Sequence, residues 1–214
     1  MIDTISSEDG LAAAVRALTA AEPRFAAITA RHGLPPLRLV APGLATLCKI
    51  ITEQAISLTA ADRIWQRLEA RFPGFAAAGL AASSEAELMA LGLSGGKARG
   101  FRALAAAVGN GQCPLGDFAS LGDDAVRAHL TAIPGIGDWT ADVYLLAALG
   151  RSDVWPVGDI ALQEAARDLF GLEARPGGKA MGALAEPWRP WRAAAARLLW
   201  SHYRHLRRLP RSAA

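Results

Sequence analysis

Leu130-Thr-Ala-Ile-Pro-Gly-Ile-Gly-Asp-Trp-Thr-Ala141, followed by Trp155-Pro-Val-Gly-Asp-Ile-Ala-Leu162, is the stretch on which the fold turns. Ala125, Val126, Leu130 and Ile133 recur at helical spacing. They predict an amphipathic helix that stops at Pro134, whose ring and missing N–H oppose continuation. Gly135 and Gly137 predict a tight turn. A second helix is predicted from about Asp138, carrying Trp139, Val143, Leu146 and Ala147, and a third opens at Asp159. The glycines serve two purposes. They accept backbone angles closed to other residues, and they bare backbone N–H groups at a helix N-terminus, where partial positive charge attracts anions.

Composition bounds the rest. At 214 residues, one compact domain or two small lobes is expected. Apolar residues make up 52%, with few β-branched ones, which favours an all-α chain. No apolar run approaches the ~20 residues of a membrane span, and the acidic N-terminus from Met1 to Asp9 lacks a signal-peptide pattern. The two cysteines, Cys48 and Cys113, are too few for a disulfide scaffold or a thiolate metal site, so a reducing cytoplasm is expected. Net charge is +3, but seven arginines (189, 192, 197, 204, 207, 208, 211) and no acid fall between Trp188 and Ala214. That segment reads either as a solvated helix face or as a phosphate-attracting one.

Along the chain, a helix is predicted over 8–21, capped by Ser6 or Ser7, with a short one after Pro23. Gly33-Leu-Pro-Pro36 is a linker. Pro42 suits the first turn of the next helix, which carries Leu44, Leu47, Ile50 and Ile51 and ends near Gln54 and Ser57. A helix over about 58–72 follows. Ser84-Glu-Ala-Glu87 resembles a capping box, and Gly92-Leu-Ser-Gly-Gly-Lys97 is a loop before a helix that closes at Gly109. A Gly-rich stretch (Gly177, Gly178, Gly182) leads to Trp188, and a last helix runs over about 191–206.

Ile133-Pro-Gly-Ile-Gly-Asp-Trp-Thr-Ala141 resembles the helix–hairpin–helix of the HhH-GPD superfamily of DNA glycosylases, and Pro156-Val-Gly-Asp159 resembles the loop and Asp that follow it. Trp139 and Asp159 are twenty residues apart, similar to the family's spacing. Trp139 stands where strand-cutting relatives carry a Schiff-base Lys, so the chain is similar to the alkylbase branch, the 3-methyladenine DNA glycosylase II enzymes. Ile51–Ser57, Gly92–Lys97 and Trp188–Arg192 running to Trp200 extend the likeness over about 42–203.

The resemblance implies an all-α, two-lobed fold with a cleft between the lobes: a central bundle, 40–150, with the hairpin, and a second lobe from 1–39 plus 151–214 that begins with the catalytic Asp. It implies a compact form lacking the N-terminal β domain of some relatives. The implied activity is monofunctional hydrolysis of the N-glycosidic bond of alkylated purines in double-stranded DNA, by a cytoplasmic monomer without membrane attachment. A glycosylase for other damaged or mismatched bases, and a hairpin module that only binds DNA, are the alternatives. Asp159 would stabilise the sugar cation, and it also reads as a plain helix cap. Trp139, Val143, Tyr144 and Trp200 would line the base pocket. Gln54, Ser57, Leu93, Gly95, Gly96, Lys97, Ile133, Gly135, Gly137 and Thr140 would meet DNA. In the family, the loop matching Gly95-Gly96 inserts a side chain into the gap left by the extruded base. These glycines have none, so either Leu93, Ser57 or backbone would substitute, or the DNA would be distorted less. No cofactor is implied beyond a monovalent cation on the carbonyls of Thr131, Ile133 and Ile136, and two cysteines cannot hold the four-cysteine iron–sulfur cluster of some relatives. Asp138 and Asp153 read as surface turn acids, and the histidines (32, 129, 202, 205) as scattered, with His202 and His205 on the surface.

Overall fold

The structure, a computed structural model, describes residues 3–207; Arg208 and Arg211 of the arginine-rich segment lie outside them. The described residues form α1 (Glu8–Ala21), α2 (Ala26–His32), α3 (Leu44–Glu53), α4 (Leu58–Arg71), α5 (Ala77–Ala82), α6 (Glu85–Ala90), α7 (Gly95–Gly109), α8 (Asp123–Thr131), α9 (Asp138–Ala147), α10 (Ile160–Phe170), α11 (Gly178–Ala185) and α12 (Arg192–Leu206). Among them there is no strand, only an isolated bridge between Thr4 and Arg151. None of these helices is long and apolar enough to cross a membrane.

Short polar side chains start the helices. The side chains of Ser7, Ser57, Ser84, Ser94 and Asp159 accept the backbone N–H of Gly10, Ala60, Glu87, Lys97 and Leu162, satisfying donors that have no partner within the helix. Three local expectations are corrected. Pro42 lies ahead of α3, whose N-cap is Gly43. Gly95 and Gly96 belong to the first turn of α7, because Ser94 caps it. The stretch around Gly178 and Gly182 is helical, since burying Met181 and Ala185 outweighs the poor propensity of its glycines.

The chain forms two compact units, with divisions after Leu39 and after Leu149. In the unit from Val40 to Leu149, α3 packs on α4, α7 and α9, α5 and α6 pack on α7, and α8 packs on α9. Leu47, Ile51, Leu68, Leu80, Phe101, Leu104, Phe118 and Leu130 form its core. Ala125, expected on the apolar face of α8, is exposed.

The other unit joins the two ends of the chain. Ile5 N–H donates to Gly150 O (2.6 Å) and Ser152 N–H to Asp3 O (3.1 Å), while α12 packs on α1, α2 and α10. Four successive alanines, Ala193–Ala196, are buried in α12, small enough to let its neighbours approach closely. Trp188 packs edge-on against Phe25 and Trp155 and stacks on Phe170.

Candidate nucleic-acid interface and catalytic carboxylate

The hairpin begins where α8 ends at Thr131. Ile133 N–H donates to Leu130 O, and Ile136 N–H to Ile133 O, both at 3.1 Å. Ile133 and Ile136 are buried, and they anchor the loop while Pro134, Gly135 and Gly137 stay exposed. Gly135 sits at φ +89°, and a Cβ there would stand 3.3 Å from Gly100 Cα. A Cβ on Gly100 would stand 3.2 Å from Pro134 O. The hairpin therefore crosses α7 backbone to backbone, and Gly100, which no motif marks, is what lets it do so.

Gly137 differs. Its φ of −105° suits any residue, and nothing lies within 4 Å of where a Cβ would be. Neither backbone nor packing demands glycine there. As N-cap of α9 it brings no capping side chain. Behind the loop, Arg127 Nε in α8 donates to the buried Asp142 carboxylate in α9 at 2.7 Å, tying the two helices together. No motif singled out this pair either.

Several expected DNA contacts have internal partners. Gln54 Nε2 donates to Thr140 Oγ1 (2.8 Å) and Gly135 O (3.2 Å). Thr140 is buried because α9 packs this face on α3, so its hydroxyl points inward. Lys97 Nζ donates to the carbonyls of Thr52 (2.8 Å) and Gln54 (2.7 Å). Leu93 is buried and cannot serve as an exposed wedge in this conformation. Ser57 is exposed, with its hydroxyl capping α4.

Of the expected pocket residues in α9, Trp139 and Val143 are half-buried and one turn apart on the same face. Tyr144 is corrected to a core residue. It is fully buried, its hydroxyl accepts Gly43 N–H at 3.0 Å, and Phe118 meets its ring edge-on. Burial raises its pKa to about 12, despite the Gly43 hydrogen bond.

In the other unit, Asp159 is the N-cap of α10. Gly158 turns the backbone at φ +87°, Asp159 N–H reaches Pro156 O (3.3 Å), and Asp159 Oδ1 accepts Leu162 N–H at 2.9 Å. These bonds fix the carboxylate's direction. Val157 and Ile160 on either side are exposed, whereas Asp159 is 9% exposed. Trp200 is half-buried in α12.

Within the described residues, the arginine-rich segment is largely occupied. Asp153, expected as a surface acid, accepts from Arg189 Nη1 (2.5 Å) and Arg192 Nε (2.7 Å). Arg197 is buried and donates to Leu37 O, and Arg207 Nε reaches Tyr203 Oη. The surface reading holds for His205, which is exposed, and is corrected for His202. His202 is buried, with Nε2 2.7 Å from Asp168 Oδ2 and Nδ1 3.4 Å from His32 Nε2, and the His32 and His205 rings stack at 3.7 Å. Helix periodicity places His202 and His205 near each other, but His32 and Asp168 come from α2 and α10.

Residues 48–190 match the family model described as the HhH-GPD superfamily base excision DNA repair protein. Among curated proteins, the chain is similar to the putative DNA-3-methyladenine glycosylase YfjP of Bacillus subtilis, at 32% identity over 93 residues, which are 44% of this chain and 32% of that protein. It is also similar to the alkylbase DNA glycosidase-like protein mag2 of Schizosaccharomyces pombe, at 31% identity over 110 residues, 51% of this chain and 52% of that one. The match thus spans about half the length of these curated relatives or less. Among solved structures, the fold is similar to the Schizosaccharomyces pombe 3-methyladenine DNA glycosylase Mag1 in complex with abasic DNA, with a TM-score of 0.82 at 24% identity, covering 87% of this chain and 94% of that one. It is likewise similar to a DNA-3-methyladenine glycosidase from Bacillus halodurans, with a TM-score of 0.74 at 27% identity, covering 98% and 95%.

Proposed function

The chain belongs to the HhH-GPD superfamily of base excision DNA repair proteins, and on that premise we propose that it is a monofunctional DNA glycosylase. It hydrolyses the N-glycosidic bond of alkylated purines of the 3-methyladenine and 7-methylguanine type in duplex DNA and leaves an abasic site. The observation that carries this reading is Asp159, a carboxylate held in one direction at the head of α10 and twenty residues beyond Trp139, the position at which strand-cutting relatives carry Lys.

Alkylation at N3 or N7 makes the base cationic and a good leaving group. As the bond breaks, positive charge develops on the sugar. A fixed carboxylate stabilises that charge, as in sugar hydrolases, and Asp159 supplies it while water attacks. Extruding the base costs a few kcal/mol. Stacking on an aromatic face returns roughly 1–3 kcal/mol, and the half-buried Trp139 is the residue assigned to it. The amides around Gly135 and Gly137 hold a DNA phosphate. A monovalent cation on the carbonyls of Thr131, Ile133 and Ile136 belongs to the same reading; Ile133 O already accepts Ile136 N–H at 3.1 Å and would offer its second lone pair. Such a cation would add positive charge facing the phosphate.

Base release from methylated duplex DNA tests this reading, with unaltered protein and Asp159→Asn side by side. Release of alkylated purines by the unaltered protein alone is expected, with DNA binding retained in both. Borohydride should trap no covalent adduct with abasic DNA. Absence of any alkylated-base release from folded protein, or a lysine-linked adduct, would overturn the assignment.

A further inference from the structure

Lys97 is misplaced for its own helix. It is the third residue of α7, where a cation meets the positive end of the helix dipole, and no acidic residue in that turn offsets it. Its side chain serves another helix. Nζ donates to the carbonyls of Thr52 and Gln54 at the end of α3, where partial negative charge gathers and α3 has no basic residue of its own in the last turn. Just beyond, Ala55 adopts φ +55°, a conformation uncommon for a residue with a side chain and held only where its surroundings over-determine it. The chain of contacts continues from Gln54, whose amide reaches Gly135 O and Thr140 Oγ1 in the hairpin. One path of hydrogen bonds thus joins the start of α7, the end of α3 and the hairpin loop.

We propose that Lys97 is a positioning residue for DNA binding: its ammonium fixes the end of α3 so that Gln54 holds the hairpin in the geometry that grips DNA, and it makes no phosphate contact of its own. This rests on the hairpin being a DNA-binding element. Burial lowers the pKa of Lys97, the cost of turning its amine from water toward the protein.

The full chain carrying Lys97→Met, Lys97→Arg or Gln54→Ala, and the double variant Lys97→Met with Gln54→Ala, would be compared with the unaltered protein. Without DNA, amide hydrogen exchange over residues 133–141 is expected to quicken at least about ten-fold in both Lys97 variants, since charge-assisted hydrogen bonds are lost. Arg keeps the charge but cannot place one compact donor between two carbonyls. With an abasic-site duplex, affinity is expected to fall about ten-fold at every salt concentration, leaving the salt slope unchanged. A phosphate contact would instead flatten the slope by about 0.9 on loss of the charge, and Arg would restore it. Gln54→Ala should weaken binding to a similar degree, and the double variant no further, because both act through one link. Unchanged exchange in the hairpin, or a flattened slope rescued by Arg, overturns the proposal. If Lys97→Met does not fold, the slope and exchange of Gln54→Ala and Lys97→Arg decide. Failure of the unaltered protein to bind DNA would sink the functional reading and the positioning role together. The exchange measurement would still report separately whether Lys97 holds the hairpin.

Discussion

Under the proposed function, Asp159 has two jobs that one substitution can separate. As a cap, its Oδ1 accepts the Leu162 N–H, and Asn performs that task about as well as Asp. As a charge, it has no substitute. Asp159→Asn should therefore leave stability within about 0.5 kcal/mol of the unaltered chain. Asp159→Ala should lower it by about 0.5–2 kcal/mol, and both should lose base release. Denaturant unfolding of the two variants checks this. Equal destabilisation by Asn and Ala would mean that the carboxylate's charge, rather than its acceptor oxygen, supports the fold. The same economy explains Asp153, whose single carboxylate orders both Arg189 and Arg192.

At the scale of the element, the two hairpin glycines are needed for different reasons. Gly135 combines a left-handed backbone with a backbone contact to Gly100, so Gly135→Ala strains the conformation and pushes α7 away. A loss of roughly 1–3 kcal/mol is expected. Gly137 has neither constraint. Gly137→Ala should lower stability by less than about 1 kcal/mol, the ordinary difference between Gly and Ala at an N-cap. Both variants should nevertheless weaken binding to duplex DNA: at Gly137 an added methyl group would stand where a phosphate oxygen approaches the α9 amides, and at Gly135 the methyl meets α7 and would displace the loop. Thermal unfolding and equilibrium DNA binding, measured on the same samples, test this. If Gly137→Ala binds as tightly as the unaltered protein, the phosphate does not sit at this amide.

At the scale of the whole molecule, the unit that joins the chain ends should lose stability in acid. His32 from α2 stacks on His205, lies beside His202 from α12, and follows Arg31, while Asp168 from α10 pairs with His202. Burial first, then the charges of His205, His202 and Arg31, push the His32 pKa below its ordinary value. A base depressed in this way takes up its proton more readily in the unfolded chain. Its contribution to stability is therefore complete above about pH 6.5 and is lost as pH falls through that value toward the lower folded one. The unfolding midpoint should drop between about pH 7.5 and 5.5, and His32→Gln should make that drop shallower. An identical pH slope in His32→Gln would remove His32 as its source.

The sequence alone determined what depends on near neighbours in the chain. Helical periodicity, serine and aspartate caps, and the Pro134–Gly137 punctuation specify an all-α chain with a hairpin, because each is set within a few residues. Asp159 as a cap was legible for the same reason. Tertiary structure alone decided which polar side chains turn inward. Lys97 and Thr140 read as free to meet phosphate, Tyr144 as a pocket wall, His202 as surface and Asp153 as a solvated acid; each finds its partner far along the chain. Gly100 shows its purpose only where the hairpin crosses it. The physical reason is common to all of them. A hydrogen bond or a close backbone approach depends on distance in space, and local pattern carries no information about which distant carbonyl, carboxylate or backbone will arrive there.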